Sequence, residues 1–258
     1  MNITVFIKQV PDTNDVVWTE NNNIDRAKME SVINPADKQA LEAALRLKDE
    51  GNAHITAVTM GPDKAIAVLQ EAVAMGADDA FLLCDSKFAG SDTCATSKVL
   101  AAAVKEKLPE TDIILFGQSA IDGETSQTGP STAVRLDIPF ITNVNEIFEI
   151  KDGKIIAASE TEKEKNIYEI ALPCAICINN YVFKPRLPRI NGYINSQNYK
   201  YKSYNLYELN LDETQTGIKG SPTFVSKVYK NDEKRNCQFI DAENTKNIIQ
   251  EIKKLAEN

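Results

Sequence analysis

At 258 residues the chain is long enough to bury a substantial core, as one large domain or one domain plus an extension. Hydrophobic residues at 43% and charged residues at 26% are ordinary for a globular protein, and a net charge of −8 argues against nucleic acid as a partner, because neutralising phosphates needs a basic face. No apolar run approaches the roughly 20 residues of a membrane span, and Met1-Asn2-Ile3-Thr4-Val5 opens directly on a strand-like run with no signal peptide, so a cytoplasmic address is expected.

Ile3 to Val10 reads as a strand. Asn34-Pro35-Ala36-Asp37 then reads as a helix start, with Asn34 as N-cap, Pro35 at the first helical position and Asp37 in the acid-favoured first turn. The helix places Ala40, Leu41, Ala44, Leu45 and Leu47 on one side and ends at Gly51. His54 to Met60 is a second strand, Gly61-Pro62 a turn, and Asp63 to Met75 a helix stopped by Gly76. Ala80 to Leu83 is another strand, Thr93 to Leu108 another helix, and Ile113 to Phe116 a further strand. Such alternation predicts a parallel sheet covered on both faces, with ligands outside the carboxyl ends of the strands. The loops holding Lys8, Gly61 and Gly117 all begin at such ends.

From about residue 145 the character changes. Glu149 to Ile156 and Tyr168 to Ile178 read as antiparallel strands around a solvated charged tip, Glu160 to Lys165. Residues 190 to 235 are too poor in apolar side chains for an independent core. Their tyrosines (Tyr193, Tyr199, Tyr201, Tyr204 and Tyr207) favour an arm ordered on a partner, followed by a short helix over 245–255. The domain expectation is therefore an α/β domain over 1–195 and an arm over 196–258.

The cysteines carry no chemistry in this reading. Cys174 and Cys177 lie three apart in what reads as a buried strand, so they face opposite ways and serve as small core residues. Cys84, Cys94 and Cys237 have no zinc-like spacing, and the single histidine, His54, suits a surface role.

The most informative stretch is Gly117-Gln118-Ser119-Ala120-Ile121-Asp122-Gly123-Glu124-Thr125-Ser126-Gln127-Thr128-Gly129-Pro130. It joins a strand to a helix start, where free N–H groups and the positive end of a helix dipole suit a phosphate. Small residues allow close approach, and several side chains are able to hydrogen-bond a ribose or base. It has neither G-x-G-x-x-G nor a Walker lysine. Read locally, Asp122 and Thr125 serve equally well as ordinary turn and N-cap residues.

Several pieces in order resemble the β subunit of electron-transfer flavoproteins. They are Ile7-Lys8-Gln9-Val10-Pro11-Asp12, Ile33-Asn34-Pro35-Ala36-Asp37, Met60-Gly61-Pro62, Ala72 to Asp78, the loop from Ala120 to Pro130, and Leu172-Pro173-Cys174 followed by Pro185-Arg186. Together they span most of residues 1 to 196. The resemblance implies a Rossmann-like α/β nucleotide-binding domain with an antiparallel hairpin addition, and a C-terminal arm that wraps an α subunit. It further implies that Phe6, Lys8, Asn34, Asp37, Met60, Gly61, Gly117, Gln118, Ala120, Ile121, Asp122, Gly123, Thr125, Ser126, Gln127 and Thr128 surround an adenine nucleotide. No catalytic acid or base and no metal are expected.

Within that family the β subunit holds either a structural AMP or a second FAD, which takes hydride from NADH and divides the electrons between a low- and a high-potential acceptor. Gly123 resembles the FAD kind, because AMP-type members usually carry an acidic residue there. The segment Phe88 to Ser97 also resembles that kind. It implies that Asp92, Thr93 and Thr96 lie near the flavin, although Ser91 or Asp92 would serve equally as a helix cap. The implied partners are the α subunit, ferredoxin and a flavin-dependent dehydrogenase of the acyl-CoA or 2-hydroxy-acid type. Arg186, Leu187, Arg189 and Ile190 resemble the loop that docks an apolar side chain into that dehydrogenase. The alternatives are a scaffold subunit holding AMP and, from another class, an ATP-binding module. The absence of Lys and Arg from the loop disfavours the ATP-binding module.

Overall fold

The computed structural model describes residues 1–12, 31–51, 53–226, 248–250 and 252–253. The chain begins with β1 (Asn2–Phe6), β2 (Gln9–Pro11), β3 (Ser31–Ile33) and α1 (Pro35–Glu50). Next come β4 (His54–Met60), α2 (Ile66–Met75, preceded by a 3₁₀ turn), β5 (Asp79–Leu83), α3 (Thr93–Lys107), β6 (Ile113–Gly117) and α4 (Thr128–Leu136). A second run comprises β7 (Phe140–Lys151), β8 (Lys154–Glu160), β9 (Lys165–Ala171), β10 (Cys174–Ile178), α5 (Ile190–Asn198), β11 (Lys202–Tyr204) and the short α6 (Gly217–Gly220).

Strand side chains alternate between two faces, and here both faces are apolar. Ile3, Val5, Ile113, Leu115, Cys174 and Ile176 enter one core with Leu41, Leu45 and Leu69 of α1 and α2. Phe6, Ile114, Phe116, Ala175 and Cys177 enter the other with Val99, Leu100 and Ala133 of α3 and α4. Each fully buried leucine or isoleucine contributes about 1.5–3 kcal/mol over exposure. The main sheet has the order β11-β5-β4-β1-β6-β10-β7-β8-β9. From β11 to β7 all pairings are parallel, and β7-β8-β9 is an antiparallel meander. The α/β class with an antiparallel addition is as expected.

Cys174 and Cys177 do lie on opposite faces, and burial pushes both thiols up to about 12. The charged tip between β8 and β9 is exposed, as expected. Three element readings need correction. The run Ile3 to Val10 divides into β1 in the main sheet and β2, which pairs with β3 in a separate ribbon. Glu149 to Ile156 is the turn region of the β7-β8 hairpin, centred on Asp152-Gly153, and not one strand. Tyr168 to Ile178 is two strands, because Pro173 has no N–H to give a ladder. The second of them, β10, leaves the meander and inserts parallel between β6 and β7.

Residues 196–226, assigned by the sequence to an arm, lie on this chain's own α/β domain. Strand β11 extends the main sheet beside β5, and the Tyr199 hydroxyl donates to Asp79 Oδ1 at 2.9 Å while accepting from the Ala80 N–H at 3.0 Å. Leu206 and Leu209 are buried in the α3–α4 core. A few large apolar residues at the right spacing are enough to add a segment to an existing core, though not to build a new one. Cys237 and most of the helix predicted over 245–255 fall outside the described residues.

Candidate functional site

Strands β1, β6 and β10 end side by side, and the start of α1 lies beneath them. Four buried polar contacts make this floor. The Asp37 carboxylate accepts the Lys8 N–H at 2.8 Å and the Gly117 N–H at 3.1 Å, joining the ends of β1 and β6. The Asn34 side chain donates to the Ser119 carbonyl at 2.8 Å and accepts the Ile121 N–H at 3.2 Å. Asn34 occupies the N-cap position by backbone, yet its side chain makes no cap bond. The capping role read from sequence is replaced by a tertiary one, because the loop offers partners that a local reading cannot see.

Burial raises the Asp37 carboxyl to about 7, against the opposing pull of hydrogen bonds from Lys8, Asn34 and Gly117 and of the Lys8 charge. Gly117 is packed so tightly that a Cβ would sit 2.4 Å from the Ala36 carbonyl carbon. Gly129 likewise lets α4 rest on the sheet, since a Cβ there would meet Cys177 Sγ at 2.5 Å. Phe6 stacks on Phe116 at 5.1 Å beneath the floor, so its side chain belongs to the core.

Above the floor the loop rises into solvent. Residues 122–127 are exposed, and Glu124 and Ser126 adopt left-handed backbone. The first-turn N–H groups of α4 have no intrahelical acceptors. The loop carries no cation of its own, but the fold delivers one: Lys8 Nζ lies 2.6 and 2.8 Å from the two Asp122 oxygens. Both partners are partly exposed, and such a pair contributes no more than about 1 kcal/mol. It holds a positive charge at the loop's edge at little energetic cost. A Cβ at Gly123 would meet nothing within 4 Å.

The α3 start comes close on the other side. Thr93 Oγ1 donates to Gln127 Oε1 at 2.9 Å, bringing two expected ligand residues together. Asp92 is the helix cap, its Oδ1 accepting the Ala95 N–H at 2.9 Å, while its Oδ2 accepts the Thr223 N–H and hydroxyl at 3.0 and 2.7 Å. Its carboxylate is thus fully engaged by protein, and burial is outweighed by these bonds, which hold it below its ordinary value. Thr96 is half-buried, one turn into α3. Met60 and Gly61 close the neighbouring strand end, where the Gly61 N–H donates to the Leu83 carbonyl at 3.1 Å. Gln118 points the other way, accepting the Asn143 N–H at 3.0 Å. Sequence reading missed Arg135 of α4, whose guanidinium binds Ser97 Oγ at 2.9 Å and Cys94 Sγ at 3.2 Å and ties α4 to α3. No local pattern announces such a contact.

The four docking residues divide. The Arg186 guanidinium binds Glu42 at 2.9 and 3.2 Å and Asp49 at 2.8 Å, anchoring the loop to α1. Burial pushes the Glu42 carboxyl up, but hydrogen bonds from Arg186 and Arg46 prevail and hold it low. Leu187 and Ile190 are 84% and 81% exposed, and Arg189 is exposed beside them.

A twisted parallel sheet covered on both faces, with a polar loop at its carboxyl edge, defines an α/β protein of the Rossmann-like kind. Residues 22–200 match the electron transfer flavoprotein domain. The chain is 43% identical to an electron transfer flavoprotein subunit beta of Thermoanaerobacterium thermosaccharolyticum, covering 87% of this chain and 86% of that one. It is 40% identical to another subunit beta from Megasphaera elsdenii, covering 89% and 87%. It is also 39% identical to the caffeyl-CoA reductase-Etf complex subunit CarD of Acetobacterium woodii, covering 87% and 86%. The chain belongs to the electron transfer flavoprotein family, among its β subunits.

Proposed function

We propose that this chain binds FAD in the loop from Gly117 to Thr128, as the electron-bifurcating kind of β subunit. The loop residues would hold an FAD whose chemistry would serve a β subunit that draws on NADH as hydride donor, with ferredoxin and, by way of the α subunit, a partner dehydrogenase as the two acceptors. The observation that carries this reading is the exposed run 122–127 at the N-terminal end of α4, with Lys8 brought to its edge from β1. Bound there, the flavin supplies the exchange between two-electron and one-electron chemistry; the protein's part is position and electrostatics.

The residues divide that work. Lys8, once released from Asp122, and the α4 N–H groups would offer positive potential to phosphates; Asp122 would accept from ribose hydroxyls, and Thr125, Ser126, Gln127 and Thr128 offer hydrogen bonds to ribose and phosphate oxygens. Gly123 leaves room beyond them. Thr93 and Thr96 lie on the side where a flavin edge would be met. Asp92 supports this group from behind as the cap of α3. The relative from a caffeyl-CoA reductase complex supports an acyl-CoA type of dehydrogenase as partner. Leu187 and Ile190 present the apolar anchor for it, on a loop held rigid by Arg186.

The test is nucleotide content after co-expression with an α subunit, with FAD and AMP released by denaturation and counted per heterodimer. Two FAD and no AMP is the expected result. One FAD and one AMP would make the chain a structural and docking subunit and overturn the hydride step.

A further inference from the structure

The segment 216–223 does not lie loosely on the domain. Its contacts converge on the loop immediately before α3, residues 87–92. Thr216 Oγ1 donates to the Lys87 carbonyl at 3.2 Å, and the Gly217 N–H donates to Ser91 Oγ at 2.9 Å. Gly217 has φ +58 and sits so close that a Cβ would be 2.3 Å from the Lys87 oxygen, so only glycine fits. Ser221 Oγ accepts the Asp92 N–H at 2.8 Å. Thr223 then gives both its N–H and its hydroxyl to Asp92 Oδ2.

Asp92 is therefore held from two sides. One carboxylate oxygen caps α3 at Ala95, and the other is held by Thr223. The next residue, Thr93, carries the hydroxyl that donates to Gln127. Hydrogen bonds join Thr223 to Asp92 and Thr93 to Gln127, and the covalent step from Asp92 to Thr93 connects the two pairs. Among the described residues, the hydroxyl of Thr93 is what ties the Gln127 side-chain oxygen to a rigid helix.

We propose that Ser221 and Thr223 are positioning residues of the nucleotide site: by fixing Asp92 they fix Thr93, and through it the orientation of Gln127. This rests on the nucleotide reading given above. The C-terminal segment then does more than fasten to the domain, because whatever pulls it from Asp92 loosens the grip on the nucleotide. Neither residue touches the ligand, and neither could be assigned from its own sequence neighbourhood.

The experiment compares Thr223→Val, Thr223→Ser, Gln127→Ala and the double variant Thr223→Val/Gln127→Ala in the full α/β complex. Release of AMP and of FAD from loaded complex is followed over time. Loss of one hydrogen bond corresponds to about 2- to 10-fold faster release for Thr223→Val. Thr223→Ser, which keeps the hydroxyl, restores slow release. The double variant releases no faster than Gln127→Ala alone, because both lesions break one path. If Thr223→Val behaves as wild type while Gln127→Ala releases nucleotide, the positioning role is overturned and the nucleotide site stands. If the two single effects multiply in the double variant, the path through Gln127 is overturned. If neither nucleotide is bound by the wild-type complex, or if Gln127→Ala has no effect, the assignment of Gln127 to the site fails, and the positioning role with it.

Discussion

The two halves of the loop from Gly117 to Thr128 are built on opposite principles. The first half is pinned from below: Gly117, Ser119 and Ile121 each give a backbone group to Asp37 or Asn34, and those contacts are buried or nearly so. The second half, 122–127, is exposed and touches the rest of the molecule through side chains at its two ends, Asp122 with Lys8 and Gln127 with Thr93. Polar residues of similar type thus do different work. Below, an unpaired N–H costs stability; above, the Gly123 and Glu124 N–H groups donate to the Ala120 carbonyl within the loop, and the side chains stand exposed. The floor belongs to folding, and the rim is the part proposed to bind the nucleotide.

That division is open to attack, beginning with its largest effect. Gly117→Ala drives a methyl into backbone atoms that cannot yield, and a loss of about 1–3 kcal/mol or more is expected in denaturant unfolding. A stability equal to wild type would show that the floor is soft.

Next comes the pH dependence set by Asp37. Its carboxyl is raised in the folded chain, from 3.8 to about 7, so between those values the native state binds the proton and the unfolded state does not. This term therefore favours folding most below about pH 4 and is lost as pH rises to about 7, with a slope of at most about 1.4 kcal/mol per pH unit. Asp37→Asn should remove that slope, seen as a flatter melting temperature between pH 5 and 7. An unchanged slope would assign it elsewhere.

On the rim, Asp122→Ala with Gln127→Ala should empty the nucleotide site of the α/β complex while shifting stability by no more than about 1 kcal/mol. Retained nucleotide, or an unfolded chain, would erase the distinction between the halves. The smallest effect is expected for Gly123→Asp, which has open space around it and should leave stability within about 0.5 kcal/mol. It should nevertheless lower FAD occupancy more than AMP occupancy, and equal loss of both would remove the argument from Gly123.

The rim was more legible in the sequence than the floor, for a physical reason. Strand–loop–helix order, small residues and hydroxyls are local features, and the sequence narrowed the cap of α3 to Ser91 or Asp92, of which the fold uses Asp92. Alternation of apolar residues likewise placed Cys174 and Cys177 on opposite faces. The Asn34 side chain, by contrast, gives up its local cap for carbonyl and N–H groups some 85 positions away. Arg186 looks like a surface recognition residue until Glu42 and Asp49 appear beside it, more than 130 positions earlier in the chain. The same limit hid β10, whose apolar pattern is identical whether it continues the meander or joins the parallel sheet.

That insertion bears on how the chain is assembled during synthesis. β6 can pair with β1 as soon as residue 117 is available, but its other edge waits for residues 174–178. Until those residues emerge, one edge of a short apolar strand stands open in the middle of the future sheet, and open edges of this kind invite pairing with other chains. A fragment ending before β10 would carry the whole loop from Gly117 to Thr128, yet it would leave that edge bare. Production of the β subunit in full length is in this sense a protection against aggregation.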